Sequence, residues 1–228
     1  MMISPEAFYE KNLKGKTEKQ ILTEIRSLKN SIGRLKNQME NPSYDRAKNV
    51  CPSPEAMISC VRAYLFRAIE TLCEMGLSYA PSIAEKKSIE FQARIKDIAR
   101  IEFETGGFFC GHKRFSISIE SDSIRVKYEP NFYDEIENET EFLIAKSEAE
   151  KSEIMDKFSR LYMGEWRRSY TPERFGYIVS DGVSWSISII YRDKKKRSFS
   201  GDNAFPYNFD SFAKVFGIDK MASFKYAK

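Results

Sequence analysis

Histidine occurs once in the 228 residues, as His112. A single imidazole excludes His-rich metal clusters and every mechanism that needs two imidazoles. Cysteine is sparse as well: Cys51, Cys60, Cys73 and Cys110 show no C-x-x-C spacing, which excludes zinc-ribbon and thioredoxin-like motifs. Eleven glycines and eight prolines are too few for a collagen-like or low-complexity chain. No apolar run approaches the ~18 residues of a membrane span. The opening stretch MMISPEAFYEKNLKGK has no hydrophobic signal-peptide core. Neither a Walker A motif nor a Rossmann glycine pattern is present. The expectation is a cytoplasmic protein with reduced thiols, with no membrane, cofactor or metal. Cys60 and Cys73 fall inside an apolar helical pattern and are expected to be buried.

What the chain does contain is two kinds of hydrophobic period. Residues 1–95 carry 15 Lys/Arg against 11 Asp/Glu, and residues 96–228 carry 22 of each, so the net charge of +4 resides in the first part. There, Ser4-Pro5-Glu6 and Ser53-Pro54-Glu55 are repeated helix starts, with Ser as N-cap and Pro at the first helical position. Thr17-x-x-Gln20 is a capping box. Behind it run Ile21, Ile25, Leu28, Ile32, Leu35 and Met39, spaced four and three in turn, a heptad stripe. At 1.5 Å per residue this helix is ~36 Å long. Its polar face holds Arg26, Lys29, Arg34 and Lys36. A second stripe, Ile58, Val61, Leu65, Ala68, Leu72 and Met75, ends at Gly76. Matched stripes of matched length predict an antiparallel hairpin. Met57, Tyr64, Phe66 and Ile69 widen the apolar surface of the second helix, so a third helix or a sheet is expected on its other side. Homodimerisation through the first stripe is the alternative use of that surface, leaving monomer and homodimer both open. A third helix is expected from Ser82 to about Ile95.

From Ile98 the period changes to two. Ile101 and Phe103, then Phe115, Ile117 and Ile119, then Ile124, Val126 and Tyr128 read as an antiparallel meander, with a turn at Thr105-Gly106-Gly107. The acidic run 134–141 reads as a loop, and 141–144 as a short strand. Ser147-x-x-Glu150 opens a helix over about 147–163. Asp181-Gly182 reads as a hairpin turn between 176–180 and the strand Val183, Trp185, Ile187, Ile189 and Tyr191. A charged turn and a last strand follow, then a helix over 209–216 with Asn208 as N-cap and a Tyr207–Phe212 staple. The fold class is therefore α+β: a helical hairpin in residues 1–95, and a small antiparallel sheet with two helices in residues 96–228.

The run Asp181-Gly182, Trp185, Ile187, Ile189, then Gly201, Asn203, Pro206, Asn208 and Phe209 resembles a tail of uncharacterised bacterial and phage mobile-element accessory proteins. The resemblance covers about 45 residues, and its G-x-N-x-x-P-x-N-F portion is the specific part. It implies a bacterial or phage setting and an α+β tail; no activity comes with it.

Few residues suggest catalysis. Asp181 and Asp193-Lys194-Lys195 imitate the two-carboxylate-and-lysine spacing of metal-dependent nucleases, but a twelve-residue strand between them would separate them by roughly 40 Å. Cys110 and His112 share a strand face without an orienting group. The serine rows at 116 and 118 and at 184, 186 and 188 suit a solvated sheet face. Basic and aromatic residues interleave at Trp166-Arg167-Arg168-Ser169-Tyr170 and at Arg192 with Lys194, Lys195, Lys196 and Arg197. Stackable rings beside guanidinium groups are the composition used on single strands and phosphate backbones, and the basic face of the first long helix is a third such patch. The expectation is a non-enzymatic protein that acts stoichiometrically on a protein or nucleoprotein. One concrete form is a mobile-element factor that blocks a host nucleic-acid-targeting defence system. The alternatives are direct DNA or RNA binding and, further off, a nuclease. Direct binding requires the basic patches to converge; protein docking requires an apolar or acidic face instead.

Overall fold

The computed structural model describes residues 2–45, 51–107, 111–130, 140–179 and 181–219. The expected acidic loop lies largely outside these residues, as does Cys110. The backbone divides after Pro81 into two compact units, each described below by itself.

The first unit contains α1 (Pro5–Asn12), α2 (Glu18–Glu40) and α3 (Pro54–Glu74). Ser4 and Ser53 cap α1 and α3 by accepting from the backbone N–H groups of Ala7 and Ala56, and Thr17 and Gln20 close the capping box of α2. Ile21, Ile25 and Leu28, from the start of α2, share one cluster with Ala68 and Leu72, from the end of α3, so the two helices run antiparallel. Within this unit, the second side of α3 packs against the short helix α1. Phe8 stacks on Tyr64 at 4.3 Å between ring centroids, and the Tyr64 hydroxyl donates to the Ile3 carbonyl at 2.8 Å. This cover is short, so Phe66 and Met75 stay about half exposed. Cys60 is only part-buried and Cys73 is exposed, correcting the expectation of buried thiols.

The second unit holds a seven-stranded sheet, larger than the small one expected. Its strands are β1 (Ile98–Gly107), β2 (Gly111–Ile119), β3 (Ile124–Glu129), β4 (Thr140–Ala145), β5 (Ser169–Tyr170), β6 (Val183–Tyr191) and β7 (Lys196–Asp202). The order is β4-β3-β2-β1-β6-β7-β5, and only β5–β7 is parallel. Among the described residues, three α-helices belong to this unit, α4 (Ile83–Ala93), α5 (Glu148–Ser159) and α6 (Phe209–Val215). Residues 82–95 therefore group with the sheet. Two turns read from dipeptides alone are absent. Gly106 and Gly107 remain in β1, paired with β2 and β6, and 176–179 forms no strand for Asp181-Gly182 to connect.

Alternation sends one set of side chains inward. Phe103 stands opposite Phe115 and Ile187, and Phe115 opposite Tyr128. Phe209 and Phe212 of α6 meet the Phe103 ring edge-on. Trp166, Tyr170, Trp185 and Phe205 complete an aromatic core. The opposite face carries the polar alternates, whose charges pair among themselves: Arg100 with Glu102, Arg114 with Glu104, Arg125 with Glu141 and Lys127 with Glu129. Ser186, Ser188, Ser198 and Ser200 share this face.

The tail motif is explained by packing around the two tryptophans. A Cβ on Gly201 would sit 2.5 Å from the Trp185 indole nitrogen and 2.6 Å from the Ala204 carbonyl oxygen. That indole N–H donates to the same carbonyl at 2.8 Å. Asn203 adopts a left-handed φ of 51°, and its side-chain oxygen accepts from the Val183 N–H. Asn208 does not cap α6 with its side chain. It accepts from the Trp166 indole at 3.0 Å and donates to the Leu161 carbonyl at 2.8 Å, tying three segments together. Gly201→Ala is expected to overpack this corner and destabilise the second unit by about 1–3 kcal/mol in denaturant unfolding, the usual range for overpacking.

Candidate anion-binding groove

The C-terminal end of α4, the β6–β7 hairpin and the segment leading into β5 enclose a groove of about 650 Å³ in the second unit. Its parts are fixed by backbone chemistry. The hairpin turn closes through Tyr191 N–H to the Lys195 carbonyl and Lys194 N–H to the Tyr191 carbonyl, with Lys194 at φ 64°. Asp193 accepts from the Lys195 N–H at 3.1 Å, bracing the turn. On the other wall, Gly164 lets the chain approach α4 closely: a Cβ there would lie 2.8 Å from the Ser88 carbonyl oxygen. The Ser200 N–H donates to the Arg168 carbonyl, setting Arg168 beside β7.

Six basic residues line the groove, Lys87, Arg94, Arg168, Lys195, Lys196 and Arg197, against one lining carboxylate, Glu90; Lys196, next to the inward-facing Arg197, also lies 3.9 Å from Glu102 of the sheet's polar face. The floor is aromatic: Phe91, Tyr191 and Phe199, all buried. Strand alternation puts Arg197 on the same side as Phe199, opposite Ile189. Its guanidinium lies 4.8 Å from the Phe91 ring centre and 5.4 Å from that of Phe199, and it donates to the carbonyls of Lys87 and Gly164 at 3.2 and 2.9 Å. Arg94 lies 3.9 Å over the Tyr191 ring and bonds Asp193 at 2.8 Å. Burial pushes the Arg197 guanidinium below its ordinary range and the neighbouring charge of Arg168 adds to the push, while Tyr191 and Glu90 oppose it. Burial likewise raises the Tyr191 hydroxyl, against Arg197 and Arg94. Among the described residues, neither Lys87 nor Arg168 has a carboxylate within ion-pair distance.

Of the residues singled out in the sequence, Arg168, Lys195, Lys196 and Arg197 converge here. Arg197 does so as a half-buried anchor, not as a free cation. Lys194 is exposed at the turn tip, and Arg192 lies against α5, lining a smaller hollow of about 370 Å³ with Lys151 and Asp156. Arg167 is exposed, its N–H donating to the Tyr170 hydroxyl. The expected stacking role of Trp166 and Tyr170 is corrected: both rings are buried, 5% and 4% exposed, because their polar atoms satisfy internal partners. In the first unit, Arg26 and Arg34 are exposed, and Lys29 and Lys36 are part-buried. The Lys29 ammonium lies 4.5 Å from the Tyr79 ring centre and bonds its hydroxyl. Lys87 and Arg94 were missed, although Lys87 and Phe91 of α4 and Arg94 at its C-cap sit at helical spacing, with Phe91 the buried residue of that helix.

Asp181 and Asp193 flank opposite ends of β6, and Asp193 is engaged with Arg94 and Lys195. Among the described residues no group of three or more His, Cys, Asp or Glu side chains is placed to hold a metal, and no helix is long and apolar enough to cross a membrane. No protein-family model, curated protein or solved structure matches the chain.

Proposed function

We propose that this chain is a stoichiometric, non-catalytic binding protein whose second unit grips the phosphate backbone of a nucleic acid, presented alone or within a nucleoprotein. The observation that carries this reading is the convergence of six cations with one carboxylate on one groove. Every ring bordering the groove is buried, and guanidinium groups cover all three of them. The groove therefore offers bases no free aromatic face for stacking, and recognition falls to phosphates, which carry no sequence information. The sheet's polar face suits this role less, because its charges are already paired. In the mobile-element setting that the tail resembles, the corresponding partner is a host nucleic-acid-targeting defence complex.

The test is fluorescence anisotropy of the full chain with labelled oligonucleotides of two unrelated sequences and equal length. The expected result is binding of similar affinity to both. Strong preference for one sequence would mean that bases are read. Absence of binding to either at low salt, with capture of a cellular partner that survives nuclease digestion, would replace this reading with docking on protein alone.

A further inference from the structure

The geometry points to Asp193 as a built-in counter-ion that occupies part of the groove's phosphate site and holds its affinity down. The inference rests on the reading of the groove as a phosphate-backbone site. One Asp193 oxygen accepts from the Arg94 guanidinium at 2.8 Å and from the Lys195 N–H at 3.1 Å, and the other lies 3.5 Å from the Lys195 ammonium. A guanidinium, an ammonium and a backbone N–H directed at one anionic group are the donors that recognise a phosphate. Asp193 thus neutralises two of the six cations that line the groove, and it does so from the rim, because it belongs to the turn and not to the lining. Its side chain is 45% exposed, and an ion pair this open to water is weak. A ligand phosphate can displace it. Arg94 has a second support besides Asp193: its guanidinium carbon lies 3.9 Å from the centre of the Tyr191 ring.

The arrangement separates two roles that Asp193 could have. As a positioning group it would hold Arg94 and Lys195 ready for the ligand, and its loss would weaken binding. As a counter-ion it competes, and its loss tightens binding. Asp193→Asn distinguishes them, because the amide oxygen still accepts from the Lys195 N–H and keeps the turn while the charge is removed. With a labelled mixed-sequence oligonucleotide as probe, Asp193→Asn is expected to bind roughly three- to tenfold tighter near ~0.1 M salt. Its plot of log affinity against log salt should steepen by ~0.7–0.9, the increment of one added phosphate contact. Adding Arg94→Gln to that variant should abolish the gain. Asp193→Ser, which retains a turn-bracing hydroxyl, is a second uncharged variant in which the same tightening is expected. Unchanged or weaker binding by both Asp193 variants, with thermal melts like the native chain, would overturn the inference while leaving the groove reading in place. Failure of the native chain to bind the probe at any salt would overturn both.

Discussion

Replacing Arg168, Lys195 and Lys196 together with glutamate is expected to weaken oligonucleotide binding on the order of a hundredfold near ~0.1 M salt. Each phosphate contact releases condensed counterion, and three contacts removed should lower the slope of log affinity against log salt by ~2–3. The three positions are exposed, so the thermal melt should remain close to that of the native chain. Arg197 is left out of the set because it anchors β7 to α4 and to Gly164; its removal would confound folding with binding. Reversal of Arg26 and Arg34 in α2 is the companion measurement. A loss as large as that from the groove variant would assign part of the backbone to the helical unit.

The second expected result concerns what holds the groove's scaffold. Trp185→Ala should destabilise the second unit by about 3–5 kcal/mol, the range for large aromatic residues removed from a packed core. Trp185 is 3% exposed and its ring lies 4.6 Å from that of Phe209 and 5.9 Å from that of Tyr170. Its indole also satisfies the Ala204 carbonyl, which would be left without that donor. Domain stabilities are typically ~5–15 kcal/mol, so this one change would remove a large fraction. Both tryptophans of the chain, Trp166 and Trp185, lie in this core. Denaturant unfolding followed by tryptophan fluorescence therefore reports on the second unit, and far-ultraviolet circular dichroism follows the helical unit alongside it. An unchanged fluorescence midpoint in Trp185→Ala would contradict the packing described.

The helical hairpin was legible because its information is local and periodic. Ile21 to Leu28 and Ala68 to Leu72 occupy one cluster, as their heptad spacing requires. Strand alternation was legible for the same reason, and it even carried a signal that went unread: Arg197 is two residues from Phe199 and so shares its inward face. The misread turns show where local rules stop. Gly106-Gly107 and Asp181-Gly182 have turn composition, but the first pair is held in the sheet by β2 and β6 on either side, and the described residues 176–179 before the second form no strand for it to connect.

The groove was legible only in fragments. Its two walls come from α4 and from the chain around β7, joined by Arg94–Asp193 and Arg197–Lys87 across separations of 99 and 110 residues. No period in the sequence encodes such a meeting. The composition Trp166-Arg167-Arg168-Ser169-Tyr170 suggested rings and cations working together on a ligand. The fold separates them, turning the Trp166 indole inward to Asn208, 42 residues away, and leaving Arg168 to the groove. The specific tail residues Gly201, Asn203 and Asn208 proved to be parts of that same packing, which is why the tail speaks to the fold and not to an activity.

The most direct measurement is the salt dependence of oligonucleotide binding by the 228-residue chain, followed by anisotropy between ~50 and ~200 mM monovalent salt. Contacts from the lining cations predict a linear fall of log affinity with log salt, with a slope of ~2–4 if three to four phosphates are engaged at ~0.7–0.9 each. Binding that is indifferent to salt across this range, or no binding at its lower end, would contradict the groove as a phosphate-backbone site.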